Sequence, residues 1–127
     1  MKRLEGRVAT ITGGGSGLGK ATAIRFASEG ALVVIADMDE KSGQAVATEV
    51  NGTFIKCNVA DKASVDNMFA EVFKKFGKID IAFNNAGISP PDDDSILTTE
   101  IEAWDKVQLV NLTSVYLCCK AVLPYML

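Results

Sequence analysis

The chain has 127 residues, 48% of them hydrophobic and 23% charged, with 13 basic against 16 acidic side chains and a net charge of −3. That length holds one core and is too short for two domains, and the charge balance, with no basic cluster, leaves out nucleic acid and an anionic membrane as partners. Histidine is absent and the cysteines number three, two of them adjacent at Cys118 and Cys119, which removes His-based triads, the usual zinc sites and a disulfide framework and points to a reducing cytoplasm.

Taken in chain order, residues 8–12 are a short β-branched run that predicts a buried strand. Five glycines follow in residues 13–19, and the Ala, Ile and Phe positions of the next stretch predict a helix over about 18–28. Strand, glycine turn and helix in succession make a phosphate cradle: glycine lets backbone N–H groups close on a pyrophosphate, which then sits at the positive end of the helix dipole. Three motifs compete for these glycines. The strict G-x-G-x-x-G fingerprint is absent, since its third glycine would fall on Leu18 or Lys20. The nucleoside-triphosphate pattern G-x-x-x-x-G-K-[ST] fits from Gly14 to Lys20 and then fails at Ala21, where a hydroxyl must reach Mg²⁺. Thr22 lies about 100° further round the helix and cannot substitute. What remains is Thr12-Gly13-x-x-x-Gly17-x-Gly19.

Beyond the turn, strand and helix alternate without an internal repeat or linker. Glu29-Gly30 ends the first helix, residues 31–36 predict a second buried strand, and Asp39 is a candidate cap for a helix running to about residue 50. Asn51-Gly52 turns the chain into a third strand, residues 53–57. From Asp61 an apolar stripe of Val65, Met68, Phe69, Val72, Phe73 and Phe76 predicts a helix that Gly77 stops. Residues 79–83 predict strand four, residues 84–97 a loop, and a last helical region follows with Thr99 and Glu102 at capping-box spacing. Its apolar run is interrupted by Lys120 and Pro124 and is expected to be too short to span a bilayer; the N-terminal residues, with Lys2, Arg3, Glu5 and Arg7, carry no apolar signal segment. Repeated β-α-β units imply an α/β fold, a Rossmann-type parallel sheet in the order 3-2-1-4 with helices on both faces.

Two further stretches bear on chemistry. Asp37 ends the second strand twenty residues after Gly17, where a carboxylate can accept hydrogen bonds from both hydroxyls of an adenosine ribose; a plain turn or cap residue is the alternative. Asn84-Asn85-Ala86-Gly87 follows strand four, at the carboxyl edge beside the glycine turn. With Thr12-Gly13-x-x-x-Gly17-x-Gly19, this segment resembles the short-chain dehydrogenase/reductase family, in order along residues 7–127. The resemblance implies a cofactor site built from Gly13, Gly15, Ser16, Gly17, Leu18, Gly19, Asp37, Met38, Asn58, Val59, Asn85, Ala86 and Gly87. Asn58-Val59 stands where the family usually has Asp-Val at the adenine edge; an Asx turn toward Asp61 explains Asn58 equally well. Asn111 matches the family's helix Asn, which helps order a catalytic proton-relay water, and a buried Asn with a structural hydrogen bond is its alternative. Neither Ala36 nor Met38 is basic and no Arg precedes Gly17 within the turn, so the expected cofactor is NAD, not NADP.

The family's remaining catalytic groups, a Ser and a Tyr-x-x-x-Lys, are expected beyond Leu127, so residues 1–127 read as the NAD-binding half alone. Tyr116 to Lys120 matches Tyr-x-x-x-Lys as a pattern, but on a helix it points about 140° away from Asn111. The reaction implied is hydride transfer between NAD and a small-molecule alcohol or ketone, with a general look of β-ketoacyl-carrier reductases and polyol dehydrogenases. A non-catalytic NAD-binding module and a P-loop nucleotidase are the rival readings. The apolar last helix and the edge position of strand four lead us to expect a homo-oligomer, a dimer or tetramer.

Overall fold

The structure, a computed structural model, describes residues 2–127. Val8–Thr12 (β1) is buried at every position, which is what a central strand covered on both faces requires. Leu32–Asp37 (β2) pairs with it in parallel from Val8 opposite Leu32 to Thr12 opposite Ala36, Ile81–Phe83 (β4) lies on its other side, and Thr53–Lys56 (β3) pairs with β2. The order is therefore β3-β2-β1-β4, as the alternating pattern predicts.

Alternation along the strands divides the core in two. Ile11, Val33 and Ile35 face Ala23 of Gly17–Ser28 (α1) and Val46 and Ala47 of Glu40–Glu49 (α2). Val8, Val34 and Ala36 face the stripe Val65, Met68, Phe69 and Val72 of Lys62–Phe76 (α3). Cys118 and Val122 of Ser114–Met126 (α5) join that second cluster. Local chemistry fixes the helix ends. Asp39 and Asp61 accept the backbone N–H groups of Ser42 and Ala63, and Gly77 closes α3 in the left-handed region at φ 75°. Phe73 sits at the margin of the stripe, 39% exposed, with its ring against Tyr125 at 4.9 Å between centroids.

Three expectations need correction. Strand four begins at Ile81, two residues late, because the Asp80 carboxylate itself accepts the Val8 N–H at 2.8 Å while the Asp80 N–H donates to Val8 O at 2.9 Å. The Thr99–Glu102 capping box does not form: Ile101–Gln108 (α4) starts after Glu100 without a side-chain cap, and Thr99 Oγ1 instead accepts the Asp94 N–H at 2.8 Å within the preceding loop. Finally, α4 continues through a π-helical turn, Leu109–Thr113, into α5, giving one helix of 26 residues that Pro124 does not break, since it lies in the last turn. That helix is long and apolar enough to cross a bilayer by length and composition. Here it lies against α3 and the sheet with Cys118 and Val122 in the core.

Asp80 also pairs with Lys78 at 3.2 Å and Arg7 at 3.6 Å. The Val8 N–H, with Lys78 and Arg7 adding to it, holds its carboxyl below the ordinary value of 3.8. A carboxyl depressed on folding contributes stability above its unfolded pKa and loses it as pH falls through the folded one. Asp80→Ala should therefore lower the unfolding free energy by about 1–3 kcal/mol at about pH 7, with Asp80→Asn losing less because it keeps an acceptor for Val8. In denaturant titrations the gap to the unaltered protein should shrink as pH drops below about 3.8.

Candidate nucleotide-binding site

The carboxyl ends of β1, β2 and β4 open on one cleft of about 270 Å³, where the strand order reverses between β1 and β4. In open parallel sheets that reversal leaves a crevice, because the chain leaves neighbouring strands in opposite directions. One wall is Gly13 and Ser16 from the glycine turn with Asp37 and Met38 after β2. Cys57 and Val59 close the far end, and Asn85, Ala86, Gly87, Ile88 and Val110 form the other side.

The turn depends on its glycines for two different reasons. Gly17 has φ 55°, a conformation other residues adopt at a cost, and a Cβ on Gly19 would strike the Gly13 carbonyl. Gly13 donates to Ala36 O at 2.8 Å, which pins the start of the turn to β2. The first turn of α1 carries no acidic side chain and Ser16 makes no side-chain cap bond, so no side chain of the helix itself covers the positive end of its dipole beside the cleft. Gly15, Gly17 and Gly19 shape this cradle without lining the cleft, and Leu18 points outward, 77% exposed.

Asp37 stands on the cleft wall with both carboxylate oxygens engaged: Oδ2 accepts the Gly15 N–H at 3.0 Å and Oδ1 the Asp39 N–H at 2.9 Å. Each oxygen retains a further lone pair for a ligand hydroxyl. Asn58 adopts the Asx turn: its Oδ1 accepts the Ala60 N–H at 3.0 Å, and Val59, not Asn58, reaches the cleft.

The two sides of the cleft are joined by Thr12, which the sequence shows only as the first letter of the glycine motif. Thr12, 2% exposed, accepts the N–H groups of Asn85 at 3.0 Å and Ala86 at 3.1 Å with one hydroxyl oxygen. Asn85 Nδ2 answers by donating to Thr12 O at 3.2 Å. The signal was present as the threonine that ends β1 and opens the glycine motif. Asn111 is exposed, not buried, and its side chain is committed to one residue: Oδ1 accepts the Ile88 N–H at 2.7 Å and Nδ2 donates to Ile88 O at 2.9 Å. Ile88, Val110 and Cys57 were not foreseen as cleft residues. Their apolar side chains carry no motif. Burial pushes the Cys57 thiol up and the Cys118 thiol up to about 12, so both are neutral packing groups. Tyr116 and Lys120 meet each other at 3.3 Å on α5, and neither lines the cleft.

A family model described as short chain dehydrogenase matches residues 7–127. The chain belongs to the short-chain dehydrogenase family. Secoisolariciresinol dehydrogenase of Forsythia intermedia is 43% identical over 122 residues, 94% of this chain and 44% of that protein. Meso-2,3-butanediol dehydrogenase of Serratia marcescens is 37% identical over 98% of this chain and 50% of its own length. The crystal structure of 3-ketoacyl-(acyl-carrier-protein) reductase from Brucella melitensis, complexed with NADH, superposes with a TM-score of 0.90 at 40% identity, covering 96% of this chain and 50% of that one. This short-chain dehydrogenase chain thus spans about half the length of the curated relatives it matches.

Thr12→Val leaves the part-buried Ala86 amide unpaired and the Asn85 amide with Phe83 O alone, and should cost about 1–3 kcal/mol in unfolding free energy. Thr12→Ser keeps the oxygen and should lose less than half as much. A larger loss for Thr12→Ser than for Thr12→Val in urea unfolding would show that the methyl group, not the hydroxyl, carries the junction.

Proposed function

We propose that residues 1–127 are one NAD-binding domain of an oxidoreductase that transfers hydride between NAD and a small-molecule alcohol or ketone. The observation that carries this reading is the Asp37 carboxylate on the cleft wall beside the glycine cradle. The cradle fits a dinucleotide: Gly13, Gly15, Ser16, Gly17, Leu18 and Gly19 set backbone and helix end toward a diphosphate, and a Cβ on Gly15 or Gly19 would meet neighbouring atoms. Asp37 accepts the ribose hydroxyls and Met38 covers them. Val59 flanks the adenine, with Asn58 setting its place through the Asx turn, and Asn85, Ala86 and Gly87 form the floor. Asn111 contributes by holding Ile88 in place. When bound, NAD supplies the hydride acceptor. Besides Asp37 and the buried Cys57 thiol, no titratable side chain among the described residues lines the cleft, so proton transfer is assigned to the Tyr and Lys that the family resemblance implies outside this segment. A magnesium nucleotide fits less well, because Ala21 offers no hydroxyl and Thr22 donates its own to Leu18 O at 2.7 Å.

A 2′-phosphate about 4 Å from Asp37 meets up to about 4 kcal/mol of repulsion per charge pair at an effective dielectric of about 20, before relaxation lowers it. Fluorescence or calorimetric titration should therefore show NAD bound at least about tenfold more tightly than NADP, a difference of about 1.4 kcal/mol. Asp37→Ala should narrow the ratio, and Tyr116→Phe should leave NAD affinity unchanged with no alcohol turned over by residues 1–127. Equal affinities for NAD and NADP in the unaltered chain would remove the ribose role of Asp37.

We also propose that the protein works in the cytoplasm as a homo-oligomer, with no membrane or nucleic acid partner. Along the helix from Ile101 to Met126, Trp104 is 53%, Leu112 64% and Leu123 51% exposed, apolar surface in need of a cover. Sedimentation at micromolar concentration should find a dimer or larger. A monomer that unfolds cooperatively and binds no hydrophobic dye would rule this out.

A further inference from the structure

Asp37 does more in this fold than face a ribose. Gly15 is buried in the middle of the turn, and its amide is paired with Asp37 Oδ2 at 3.0 Å. The packing there leaves no slack: a Cβ on Gly15 would stand 2.6 Å from Ser42 Oγ, 2.9 Å from Asp37 Oδ2 and 3.0 Å from Gly43 N. The second carboxylate oxygen accepts the Asp39 N–H at 2.9 Å, so the same group ties the turn to the residue that caps α2.

We infer that the Asp37 carboxylate is a positioning group for the phosphate cradle, holding the glycine turn in shape through the buried Gly15 amide independently of any contact with a ribose. The inference rests on the reading of the cleft as a nucleotide site. A charge-assisted bond to a backbone N–H is among the stronger hydrogen bonds available, and deleting the carboxylate leaves a buried donor unpaired. The turn then relaxes to satisfy it, and the amides on either side lose their common direction. The Gly15 amide itself is spent on Asp37, so a phosphate is met by its neighbours and by the end of α1. Cofactor preference and turn geometry are therefore coupled in one side chain: a substitution made to admit a 2′-phosphate also loosens the grip on the diphosphate.

The test separates the two roles with ADP and 2′,3′-dideoxy-ADP, which keeps the diphosphate and lacks both ribose hydroxyls. Asp37→Ala should weaken the dideoxy ligand at least about fivefold, and Asp37→Asn, which keeps an oxygen for the Gly15 amide, should recover most of that loss. A smaller loss for Asp37→Ala, with ADP still bound by the unaltered protein, overturns the positioning role and leaves the nucleotide site standing. Failure of the unaltered protein to bind either ligand overturns both. Should Asp37→Ala not fold, hydrogen exchange of the unliganded, unaltered protein decides: a protected Gly15 amide supports the bond, and exchange at the rate of an open turn overturns it.

Discussion

The hydroxyl of Thr12 accepts two amides that belong to chain more than seventy residues away, and the cleft exists in its present form because of that junction. β1 is the central strand, so its carboxyl end is where the turn from one side and the Asn85 segment from the other must meet. Parallel pairing brings β4 alongside only as far as Phe83, opposite Ile11. Past that point the Ala86 amide has left the ladder and would be unpaired in a part-buried place, at a cost of about 1–3 kcal/mol, while the Asn85 amide would keep only Phe83 O, at 3.1 Å. One side-chain oxygen meets both, and the Asn85 amide returns a bond to the Thr12 carbonyl.

With the floor pinned, each wall is set by a different kind of constraint. The turn wall is governed by close approach: backbone passes over backbone at Gly13 and Gly19, and a carboxylate reaches under it at Gly15. The opposite wall is governed by a side chain acting as backbone partner, since Asn111 gives Ile88 both a donor and an acceptor, as a neighbouring strand would. The far end needs neither. Cys57 and Val59 are buried there as part of the core shared with α3 and α5, so the cleft ends where the sheet's own packing begins.

Most of the fold was legible because strands and helices differ in period, and each β-α-β unit carried both periods cleanly, down to the caps at Asp39 and Asp61 and the stop at Gly77. What escaped were side chains that take over backbone duties. Asp80 reads as one more strand residue, yet its carboxylate occupies the Val8 amide and postpones the strand. Thr99 has capping-box spacing, yet a tighter local partner, the Asp94 N–H, claims its oxygen. In the site, the glycines, Asp37 and the Asn84–Gly87 segment were legible as motifs. Thr12 was read only as a motif letter, and Ile88 and Val110 have no signature because their place in the cleft follows from the path of the long helix.

That path turns on the π-helical segment Leu109–Thr113. In a regular helix Val110 O would be shared out along the ladder; here the Ser114 hydroxyl donates to it, the kind of side-chain insertion that opens an i→i−4 ladder. The polar residues Asn111, Thr113 and Ser114 interrupt an otherwise apolar run at this point, so the helix is widened where its side chains can compensate the backbone. The result divides one helix into two tasks. Val110 and Asn111 shape the cleft and hold Ile88, while Cys118 and Val122 enter the core and Leu112 and Leu123 remain outside. Because these groups share a single continuous helix, anything that packs on its exposed apolar surface bears on the segment that fixes Ile88. The geometry of the cleft and the covering of that surface are thus one structural problem.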